Sequence, residues 1–385
     1  MKILFVYYCF YPTIGGIENL MLGIGKELHR KGHEITVFTT NVIKDKSAVL
    51  KPEEKIQDIY IKRFNPLPFP NSAFVTPSMI PQLCSASFDL MHVFSYHPVF
   101  MTNASCLVSK LLKKPLVMTP IYNTIRTTLY QNFITRSYSE FFDEKIGPII
   151  LRRADYVTAL TTSEADFYRT CGVKNIKVVP EGIDIPNPPP AAEIQKFREK
   201  YLLDGEVLLS VGRIIKYKGL DFLIKAFAYV LKRFPIAKLL IVGEDWGYLS
   251  SVKRIVSELK CDENVVFTGL LNNLELACAY EAADFVVHPS YFETFIRIAL
   301  EAWAHRKPIV CFNLGGPTEF ITPETGILVK YGDLHEMRDA ITKLLSNQKL
   351  CKSMGENGYR LVSSKYSWDN IATELENIYQ LACKA

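Results

Sequence analysis

The stretch HPSYFETFIRIALEAWAHRKPIV, residues 288–310, decides the fold class predicted for this chain. An apolar, strand-like run ends at His288, a Pro-Ser-Tyr-Phe turn follows, and an amphipathic helical run leads to a second apolar run, Pro308–Phe312. A strand, a turn and a helix start in this order direct backbone N–H groups toward the mouth of the turn, which suits an anion and most often a phosphate. The stretch therefore predicts a strand-turn-helix unit with a phosphate site at its turn.

Two carboxylates, Glu293 and Glu301, stand in this stretch. Carboxylates accept hydrogen bonds from hydroxyl groups, and a phosphate together with vicinal hydroxyls describes a sugar nucleotide. At a helical rise of 1.5 Å per residue, Glu301 would lie about 12 Å from Glu293, a reach that could span the sugar and the ribose of one ligand. A surface salt bridge is the alternative for either glutamate alone, but the spacing and the strand-turn-helix context make the pair more specific.

Short apolar runs alternate with helical patterns along almost the whole chain. The runs lack polar alternation, which is typical of strands covered on both faces, and helices between them complete βαβ units that build doubly wound parallel sheets. The predicted strands are Lys2–Tyr8, Glu34–Thr39, Ile59–Arg63, Leu90–Phe94, Leu116–Met118, Tyr156–Ala159, Lys177–Val179, Val207–Val211, Lys238–Val242, Val265–Phe267, Phe285–His288, Ile309–Phe312 and Gly326–Val329. The predicted fold class is α/β, with two Rossmann-like doubly wound parallel-sheet domains that face a cleft.

The 385 residues are too many for one ordinary core and fit two domains. The proline-rich stretch IPNPPP, Ile185–Pro190, cannot continue a helix or a central strand and forms a semi-rigid spacer. We therefore expect an N-terminal domain over residues 1–187 and a C-terminal domain over residues 188–367. The last helix, within residues 368–385, can pack back on the first domain.

The composition, 48% hydrophobic and 22% charged, is that of a soluble globular protein. The net charge of +5 allows attraction to phosphates or to an anionic membrane face, but it is too small to indicate a nucleic-acid-binding protein. Nine scattered cysteines without a C-x-x-C pair favour reduced thiols in the cytoplasm and argue against a zinc site. The opening MKILFVYYCFYP is better interpreted as a buried first strand than as a signal peptide. No run of 18 apolar residues exists, so no membrane-spanning helix is expected.

Two glycine-containing loops follow predicted strands. Gly15 and Gly16, in PTIGGIE, precede a helix start that favours negative charge, although a plain tight turn is an equal alternative. This loop lacks the G-x-G-x-x-G fingerprint, so a nicotinamide enzyme is not supported. In SVGRIIKYKG, residues 210–219, Arg213 could clamp a phosphate and Lys218 could place a point charge beside it. The alternative for these two residues is a pair of solvated surface cations.

Taken in order, these motifs resemble those of the retaining glycosyltransferases of family 4, which have the GT-B fold. The further matching stretches are VVPEGID at 178–184, FTGLLNNLEL at 267–276, PSYFETFIRIALEA at 289–302, GGPTEF at 315–320 and TGILV at 325–329. The resemblance implies transfer of a sugar, a hexose in the main expectation, from a UDP- or GDP-sugar to an acceptor hydroxyl with retained configuration. A lipid-linked or cell-envelope glycan is the expected acceptor because it would fit a cytoplasmic enzyme with a membrane face. No metal or other cofactor is expected, since positive side chains can replace a metal at the leaving group, and the nucleotide sugar is a co-substrate. The N-terminal domain would carry the acceptor side.

The resemblance also implies roles for single residues. Glu301 would hold the ribose hydroxyls, Glu293 would lie near the transferred sugar, and Arg213 and Lys218 would neutralise the diphosphate; Glu293, Arg213 and Lys218 are the expected catalytic residues. The implied donor-binding residues are Gly16, Gly212, Arg213, Lys218, Phe295, Ile296 and Glu301. The implied residues on the acceptor or sugar side are Gly15, His92, His97 and Tyr122.

Two positions depart from the family pattern. Ile296 stands where members usually carry glycine, and its side chain could crowd the diphosphate or change the backbone angle. Ile121, in MTPIY, stands where members often carry a histidine that meets the donor sugar, and His92 or His97 could substitute unless they are structural histidines. These departures are the grounds for an alternative, a degenerate GT-B protein that binds a nucleotide sugar or a partner without turnover. A sugar-nucleotide epimerase is a third interpretation.

The segment Ile121–Phe142 is rich in tyrosine, phenylalanine and arginine. Such a surface could settle at a membrane interface, which would make the protein cytoplasmic with a peripheral contact at the inner face of the membrane. Ordinary packing of a helix and its loop is the alternative.

Overall fold

The computed structural model describes residues 1–13, 15–42, 50–67, 74–96, 99–121 and 140–384. It divides into two compact units, one formed by Met1–Gly182 with Trp368–Ala385 and the other by Ile183–Ser367. The chain thus passes from the first unit to the second just ahead of the proline-rich stretch. None of the helices in the described ranges is long and apolar enough to cross a bilayer.

The first unit contains an eight-stranded sheet in the order β3-β4-β2-β1-β5-β6-β7-β8. All neighbouring strands are parallel except β3 and β4. The strands are β1 (Lys2–Val6), β2 (Glu34–Thr40), β3 (Glu53–Ile56), β4 (Ile59–Phe64), β5 (Leu90–Phe94), β6 (Leu116–Thr119), β7 (Tyr156–Ala159) and β8 (Ile176–Val178). The described helices of this part are α1 (Gly16–Arg30), α2 (Met79–Ser85), α3 (Val99–Leu112), α4 (Gly147–Leu151), which follows a π-helical turn at Phe142–Ile146, and α5 (Thr162–Thr170).

The second unit contains a six-stranded, wholly parallel sheet in the order β11-β10-β9-β12-β13-β14. The strands are β9 (Val207–Val211), β10 (Lys238–Val242), β11 (Val265–Gly269), β12 (Phe285–His288), β13 (Ile309–Phe312) and β14 (Gly326–Val329). The helices are α6 (Ala191–Lys200), a 3₁₀ turn (Lys216–Lys218), α7 (Leu220–Val230), α8 (Leu249–Glu258), α9 (Asn273–Ala282), α10 (Arg297–Ala304), α11 (Pro317–Phe320), α12 (Leu334–Ser346) and α13 (Gln348–Lys365). The strand order reverses between β9 and β12, which is where open parallel sheets bind ligands.

The central strands form because their residues are apolar on both faces. In β9 the four residues from Val207 to Ser210 are all buried, and β12 and β13 are buried throughout. Their side chains join those of the flanking helices in one core, with Leu208, Val287 and Val310 fully buried. The predicted fold class, two doubly wound parallel α/β domains, is confirmed.

Strand β3 was not predicted from the sequence. Its residues, EEKI, are mostly charged and alternate between exposed and half-buried positions. It pairs antiparallel with β4 through a two-residue turn, Gln57 and Asp58, whose φ angles are 49° and 67°. Such turns twist as hairpins require, but Gln-Asp is not the Asn-Gly or Asp-Gly pair that marks them in a sequence.

A final helix, α14 (Trp368–Ala382), completes the first unit. It packs on α1 and buries Trp368, Ile371, Leu375 and Tyr379. Arg30 and Lys31, at the end of α1, both form ion pairs with Asp369, at 3.0 and 2.9 Å. The first unit is therefore built from two segments that are far apart in the sequence.

Candidate functional site

The candidate site begins at the carboxyl ends of β9 and β12. These strands are neighbours, with Leu208 opposite Phe285 and Leu209 opposite Val286. Gly212, Arg213 and Lys218 follow β9, whereas Glu293 follows β12, so the reversal of strand order brings the two loops to one edge of the sheet. The loops are joined where the Tyr291 N–H donates to the Tyr217 carbonyl at 2.8 Å.

Lys218 and Glu293 form an ion pair between these loops. The Lys218 Nζ lies 2.5 Å from the Glu293 Oε1, and the His288 Nε2 contacts the same oxygen at 2.7 Å. The side chains of Lys218 and Glu293 are 16% and 18% exposed, and that of His288 is 3% exposed. The structure thus brings together two of the residues predicted from the sequence and adds a buried histidine to them.

The electrostatics of this cluster fix its protonation. Burial by itself would raise the pKa of Glu293, but the Lys218 charge and the hydrogen bond from His288 outweigh it and bring the pKa to about 2. Burial lowers the pKa of His288, and the neighbouring Glu293 only partly offsets this effect. At neutral pH the cluster therefore holds an ionised carboxylate, and a neutral imidazole that donates its Nε2–H to it.

We expect Glu293→Gln to destabilise the fold by about 1–3 kcal/mol at neutral pH, because the amide is a poorer partner for a buried ammonium. Since folding depresses the pKa of Glu293 from 4.5 to about 2, its contribution is present above about pH 4.5 and is lost as the pH falls toward 2. Urea unfolding at several pH values should show the difference between wild type and variant shrinking over that window. A difference that stays constant down to pH 3 would contradict the ionised state.

Two glycines hold the Glu293 loop in place. Gly219 has a φ of 70°, and a Cβ atom there would lie 2.1 Å from the Pro289 carbonyl oxygen. The Gly316 N–H donates to the Glu293 carbonyl at 3.1 Å, and a Cβ atom at Gly316 would lie 2.0 Å from the Thr294 carbonyl oxygen. Only glycine permits these approaches of backbone to backbone. The glycines of the two motifs GRIIKYKG and GGPTEF therefore position Glu293.

Glu301 lies in a second cluster on α10. Its Oε2 accepts a hydrogen bond from the Tyr280 hydroxyl at 2.8 Å, and its Oε1 accepts one from the Arg297 Nε at 3.0 Å. Tyr280 is buried and stacks on His305, with 4.9 Å between ring centroids. Because α10 starts at Arg297, Glu293 is not part of the helix, and the 12 Å helical separation estimated from the sequence does not apply.

Arg213 lies at the exposed side of the same edge. Its Nη2 donates to the Tyr217 hydroxyl at 2.8 Å, and its guanidinium carbon lies 4.5 Å from the centroid of the Trp246 ring. The Lys218 Nζ lies 5.5 Å from the Tyr217 ring centroid. The Tyr217 side chain therefore contacts both predicted cations and holds them near one another.

Phe295 and Ile296 immediately precede α10. Both are buried, at 8% and 1% exposure, and Phe295 packs edge-on against Phe320 with 4.8 Å between centroids. Ile296 has φ −95° and ψ 77°, outside the left-handed region. Because the Ile296 side chain is buried, it does not extend into solvent at the mouth of the turn, and its effect on ligand binding stays a prediction. The N–H groups at the start of α10 remain a feature that suits an anion.

In the first unit, Gly15 and Gly16 stand at the start of α1. Gly15 is extended, with φ −161° and ψ 178°. Apart from its chain neighbours and the backbone of its own helix, no described atom lies within 4 Å of a Cβ built at Gly16, so this backbone is accessible. Glu18, in the first turn of α1, is 5% exposed, and its carboxylate lies against Gly15. The Glu18 carboxylate thus lies at the helix start for which the sequence predicts a bound anion.

One histidine candidate of the first unit, His92, needs correction. His92 is fully buried in β5, where its Nδ1 contacts the Tyr379 hydroxyl at 2.6 Å and its Nε2 contacts the Thr119 hydroxyl at 2.7 Å. Burial lowers its pKa to about 3. With both ring nitrogens engaged in the core, His92 cannot meet a sugar, so it is a structural histidine. His97 and Tyr122 lie outside the described residues. Ile121 lies two residues after the end of β6 and has a φ of 53°, a conformation rarely adopted by β-branched residues.

Among the residues of the site that were missed from the sequence are His288, Tyr280 and Trp246. His288 could have been found, since it is a titratable residue at the carboxyl end of a predicted strand. Tyr280 and Trp246 carry no such signal, because their contacts depend on neighbouring strands that are distant in the sequence. Across the described ranges, no three His, Cys, Asp or Glu side chains are grouped so that they could hold a metal ion.

Comparison with known proteins identifies the family. The model of the glycosyl transferases group 1 matches residues 193–361, and that of Glycosyltransferase Family 4 matches residues 14–186. With the two doubly wound domains, these matches place the chain among the group 1 glycosyltransferases of GT-B fold. The protein is therefore a glycosyltransferase enzyme.

Individual relatives match this chain over nearly the whole length of both proteins. The chain is 27% identical to an uncharacterised glycosyltransferase of Methanocaldococcus jannaschii, covering 99% of this chain and 98% of the relative. It is 28% identical to D-inositol 3-phosphate glycosyltransferase of Corynebacterium aurimucosum, covering 95% and 90%. It superposes on HepE of Anabaena, solved with UDP and glucose, with a TM-score of 0.80 and 20% identity over 99% of this chain and all of that one. That structural likeness concerns the fold.

Proposed function

We propose that the protein is a retaining hexosyltransferase that moves a sugar from a UDP- or GDP-sugar to an acceptor hydroxyl. The observation that carries this proposal is the Lys218–Glu293 ion pair, which places a cation from the end of β9 against a carboxylate from the end of β12. The pair lies where the strand order reverses, the usual ligand position in such sheets. A cation beside a carboxylate suits a ligand that carries both phosphates and hydroxyl groups.

In this proposal Arg213 and Lys218 bind the diphosphate. The Lys218 ammonium has three donor hydrogens, so it can keep its contact with Glu293 and still reach a phosphate oxygen. When the sugar departs, negative charge builds on the terminal phosphate, and fixed cations stabilise that charge more in the transition state than in the ground state. The contact of Tyr217 with both cations supports a shared role.

Glu301 is proposed to hold the ribose hydroxyls. Its two hydrogen bonds, from Tyr280 and Arg297, use one acceptor position on each oxygen. An ionised carboxylate offers about four such positions, so each oxygen can still accept a hydroxyl. The backbone of Gly212 and the start of α10, at Phe295 and Ile296, complete the part of the proposed donor site that lies in the second unit. Gly16, in the first unit, stays a proposed donor-binding residue.

The ionisation of Glu293 limits its chemistry. With a pKa of about 2 it carries no proton at neutral pH, so it is unsuited to donate one, and it is a weak base. We propose that it accepts hydrogen bonds from the transferred sugar and opposes the positive charge that develops there. The leaving diphosphate then takes the acceptor proton on the same face. The anomeric carbon loses its bond to the phosphate oxygen and gains one to the acceptor oxygen, and configuration is retained.

The acceptor is proposed to be a glycan or a lipid-linked sugar of the cell envelope, because such an acceptor would fit a cytoplasmic enzyme with a membrane-facing surface. The relative from Corynebacterium aurimucosum carries a name that describes transfer to a phosphorylated polyol, so phosphorylated alcohols belong in an acceptor screen. Gly15 is the described residue proposed on the acceptor side. A cytoplasmic location with peripheral membrane contact stays a prediction, because most of the aromatic and basic segment that suggested it lies outside the described residues.

The test is release of nucleoside diphosphate that depends on added acceptor. A thermal-shift screen of UDP-glucose, other UDP-sugars and GDP-sugars selects the donor, and NMR of the product reads its anomeric configuration. Retained configuration with acceptor-dependent release supports the proposal. Thermal stabilisation without release would favour the non-catalytic alternative, which the family membership disfavours, and a changed sugar nucleotide without acceptor would favour an epimerase. Inverted configuration would overturn the mechanism.

We expect activity to persist after removal of divalent metal ions. The reason is that Arg213 and Lys218 supply the positive charge that a metal would otherwise bring to the leaving group. Release of nucleoside diphosphate should be the same, within twofold, before and after treatment with EDTA and desalting. Activity that EDTA abolishes and magnesium restores would show that these two cations are insufficient.

A further inference from the structure

Trp246 is the exposed tryptophan of this protein. The chain contains three tryptophans, of which Trp303 and Trp368 are 0% and 7% exposed, whereas Trp246 is 41% exposed. It follows β10, the neighbour of β9 on the side away from β12. A large aromatic ring is thus presented beside the loop that carries Arg213, at the ligand-binding end of the sheet.

The face of the indole ring carries the Arg213 guanidinium. The distance of 4.5 Å between the guanidinium carbon and the ring centroid lies within cation–π range. The Tyr217 hydroxyl holds the Nη2 atom of the same group at 2.8 Å. Arg213 is therefore restrained by a ring face and by a hydrogen bond at its edge, although the residue is exposed.

The indole ring is itself fixed. Its Nε1 donates to the Glu244 Oε2 at 2.8 Å. The backbone of the two loops is joined by two further hydrogen bonds, from the Trp246 N–H to the Ile214 carbonyl at 3.0 Å and from the Ile214 N–H to the Glu244 carbonyl at 2.8 Å. The loop that carries Trp246 and the loop that carries Arg213 therefore hold a constant relative position.

The loop that carries Trp246 is also fixed at the end that leads into α8. The Asp245 Oδ1 accepts hydrogen bonds from the N–H groups of Gly247, Tyr248 and Leu249, at 2.9, 3.0 and 3.1 Å. These bonds hold the backbone that leads into the first residue of α8, and they lower the pKa of Asp245. The residues on either side of Asp245, Glu244 and Trp246, are thereby anchored to a helix as well as to the β9 loop.

We propose that Trp246 is a positioning residue of the glycosyl transfer reaction, whose ring holds the Arg213 guanidinium in the orientation that binds the donor diphosphate. An arginine side chain that is already restrained loses less conformational freedom when it binds a phosphate, and a preset orientation makes its contact with the leaving group more effective. This inference rests on the proposed function, since it requires that Arg213 contacts the diphosphate.

The alternative for Trp246 is direct contact with the ligand, for example stacking on its base. The two roles differ in one measurable respect. A positioning residue acts through Arg213, so its removal has no effect once Arg213 is absent, whereas a residue that contacts the ligand keeps its effect in that background.

The test is a double-mutant cycle of Trp246→Leu and Arg213→Ala, with Trp246→Phe as the conservative variant. The readouts are kcat and KM for acceptor-dependent release with the donor from the screen, and the Kd for UDP by calorimetry, or for GDP if the donor is a GDP-sugar. The Kd remains measurable if turnover is lost. We expect Trp246→Leu to lower kcat/KM about tenfold and to weaken binding of the nucleotide. Trp246→Phe should stay within about threefold of wild type. In the Arg213→Ala protein, Trp246→Leu should change the Kd less than twofold. Tyr229→Leu, which removes another exposed aromatic ring from the second unit, is the control for loss of surface area.

Additive effects of the two substitutions, or no effect of Trp246→Leu alone, would overturn the positioning role. If Arg213→Ala lowers turnover strongly and the substitutions are additive, the proposed function stands and only this inference fails. If Arg213→Ala changes neither turnover nor Kd, the assignment of the diphosphate site fails, and the role of Trp246 fails with it. Melting temperatures identify any variant whose fold is disturbed.

Discussion

Glu293→Gln is expected to lower kcat by about 100- to 1,000-fold while the affinity for the nucleoside diphosphate stays nearly unchanged. The substitution keeps the size of the side chain and removes the charge that Lys218 and His288 hold ionised. Because the proposed role of Glu293 is to meet the transferred sugar, the loss should fall on the reacting state and not on binding of UDP or GDP. Steady-state kinetics with both substrates and calorimetry with the nucleotide separate these two quantities.

Glu324→Gln provides a matched control, since Glu324 is an exposed acid of the same unit. Its turnover should equal that of the wild type within twofold. A kcat for Glu293→Gln within threefold of wild type would remove Glu293 from the mechanism. Equal losses of kcat and of nucleotide affinity would move its contact from the sugar to the nucleotide.

Lys218→Ala is expected to have the second large effect, a loss of about 100- to 1,000-fold in kcat together with weaker binding of the nucleoside diphosphate. The variant lacks the cation that is proposed to meet the leaving phosphate. It also removes the charge that most strongly lowers the pKa of Glu293, so that pKa should rise. The acid limb of the pH–rate profile should therefore move to higher pH than in the wild type.

Lys216 offers an unusually close control for this experiment. It belongs to the same 3₁₀ turn as Lys218 and is exposed. Lys216→Ala removes the same charge two positions away and should leave kcat, Kd and the acid limb unchanged. Similar losses in both variants would indicate a general electrostatic effect of the turn and would contradict a specific contact made by Lys218.

Much of the fold could be predicted from the sequence because its strands are apolar on both faces. Runs such as Val207–Val211 and Phe285–His288 coincide with β9 and β12 without change of either boundary. The charged edge strand β3 was not predictable in this way, since an edge strand that packs on one side needs little apolar character. The start of α10 was also misjudged, because the pattern of apolar residues continues through Phe295 and Ile296, which are buried in a non-helical turn.

The candidate site was predictable in its residues but not in its contacts. Lys218 and Glu293 could each be chosen from a motif, yet their ion pair depends on β9 and β12 being neighbours, which the sequence order of the strands does not reveal. His92 illustrates the opposite case. It was a candidate because it could substitute for the histidine that Ile121 replaces, but its hydrogen bonds to Thr119 and Tyr379 come from a strand and a helix far from it in the sequence.

The placement of α14 has a consequence for how the protein is made. The first unit lacks α14 until residues 368–382 have been synthesised, whereas the second unit is complete at Ser367. Folding of the first unit can therefore be completed only after the whole of the second unit has been synthesised, in contrast to the usual N-terminal-first order. Until Tyr379 arrives, the imidazole of His92 lacks one of its two partners. The surfaces of α1 and β6 that α14 covers therefore stay exposed until the last helix of the chain has been synthesised.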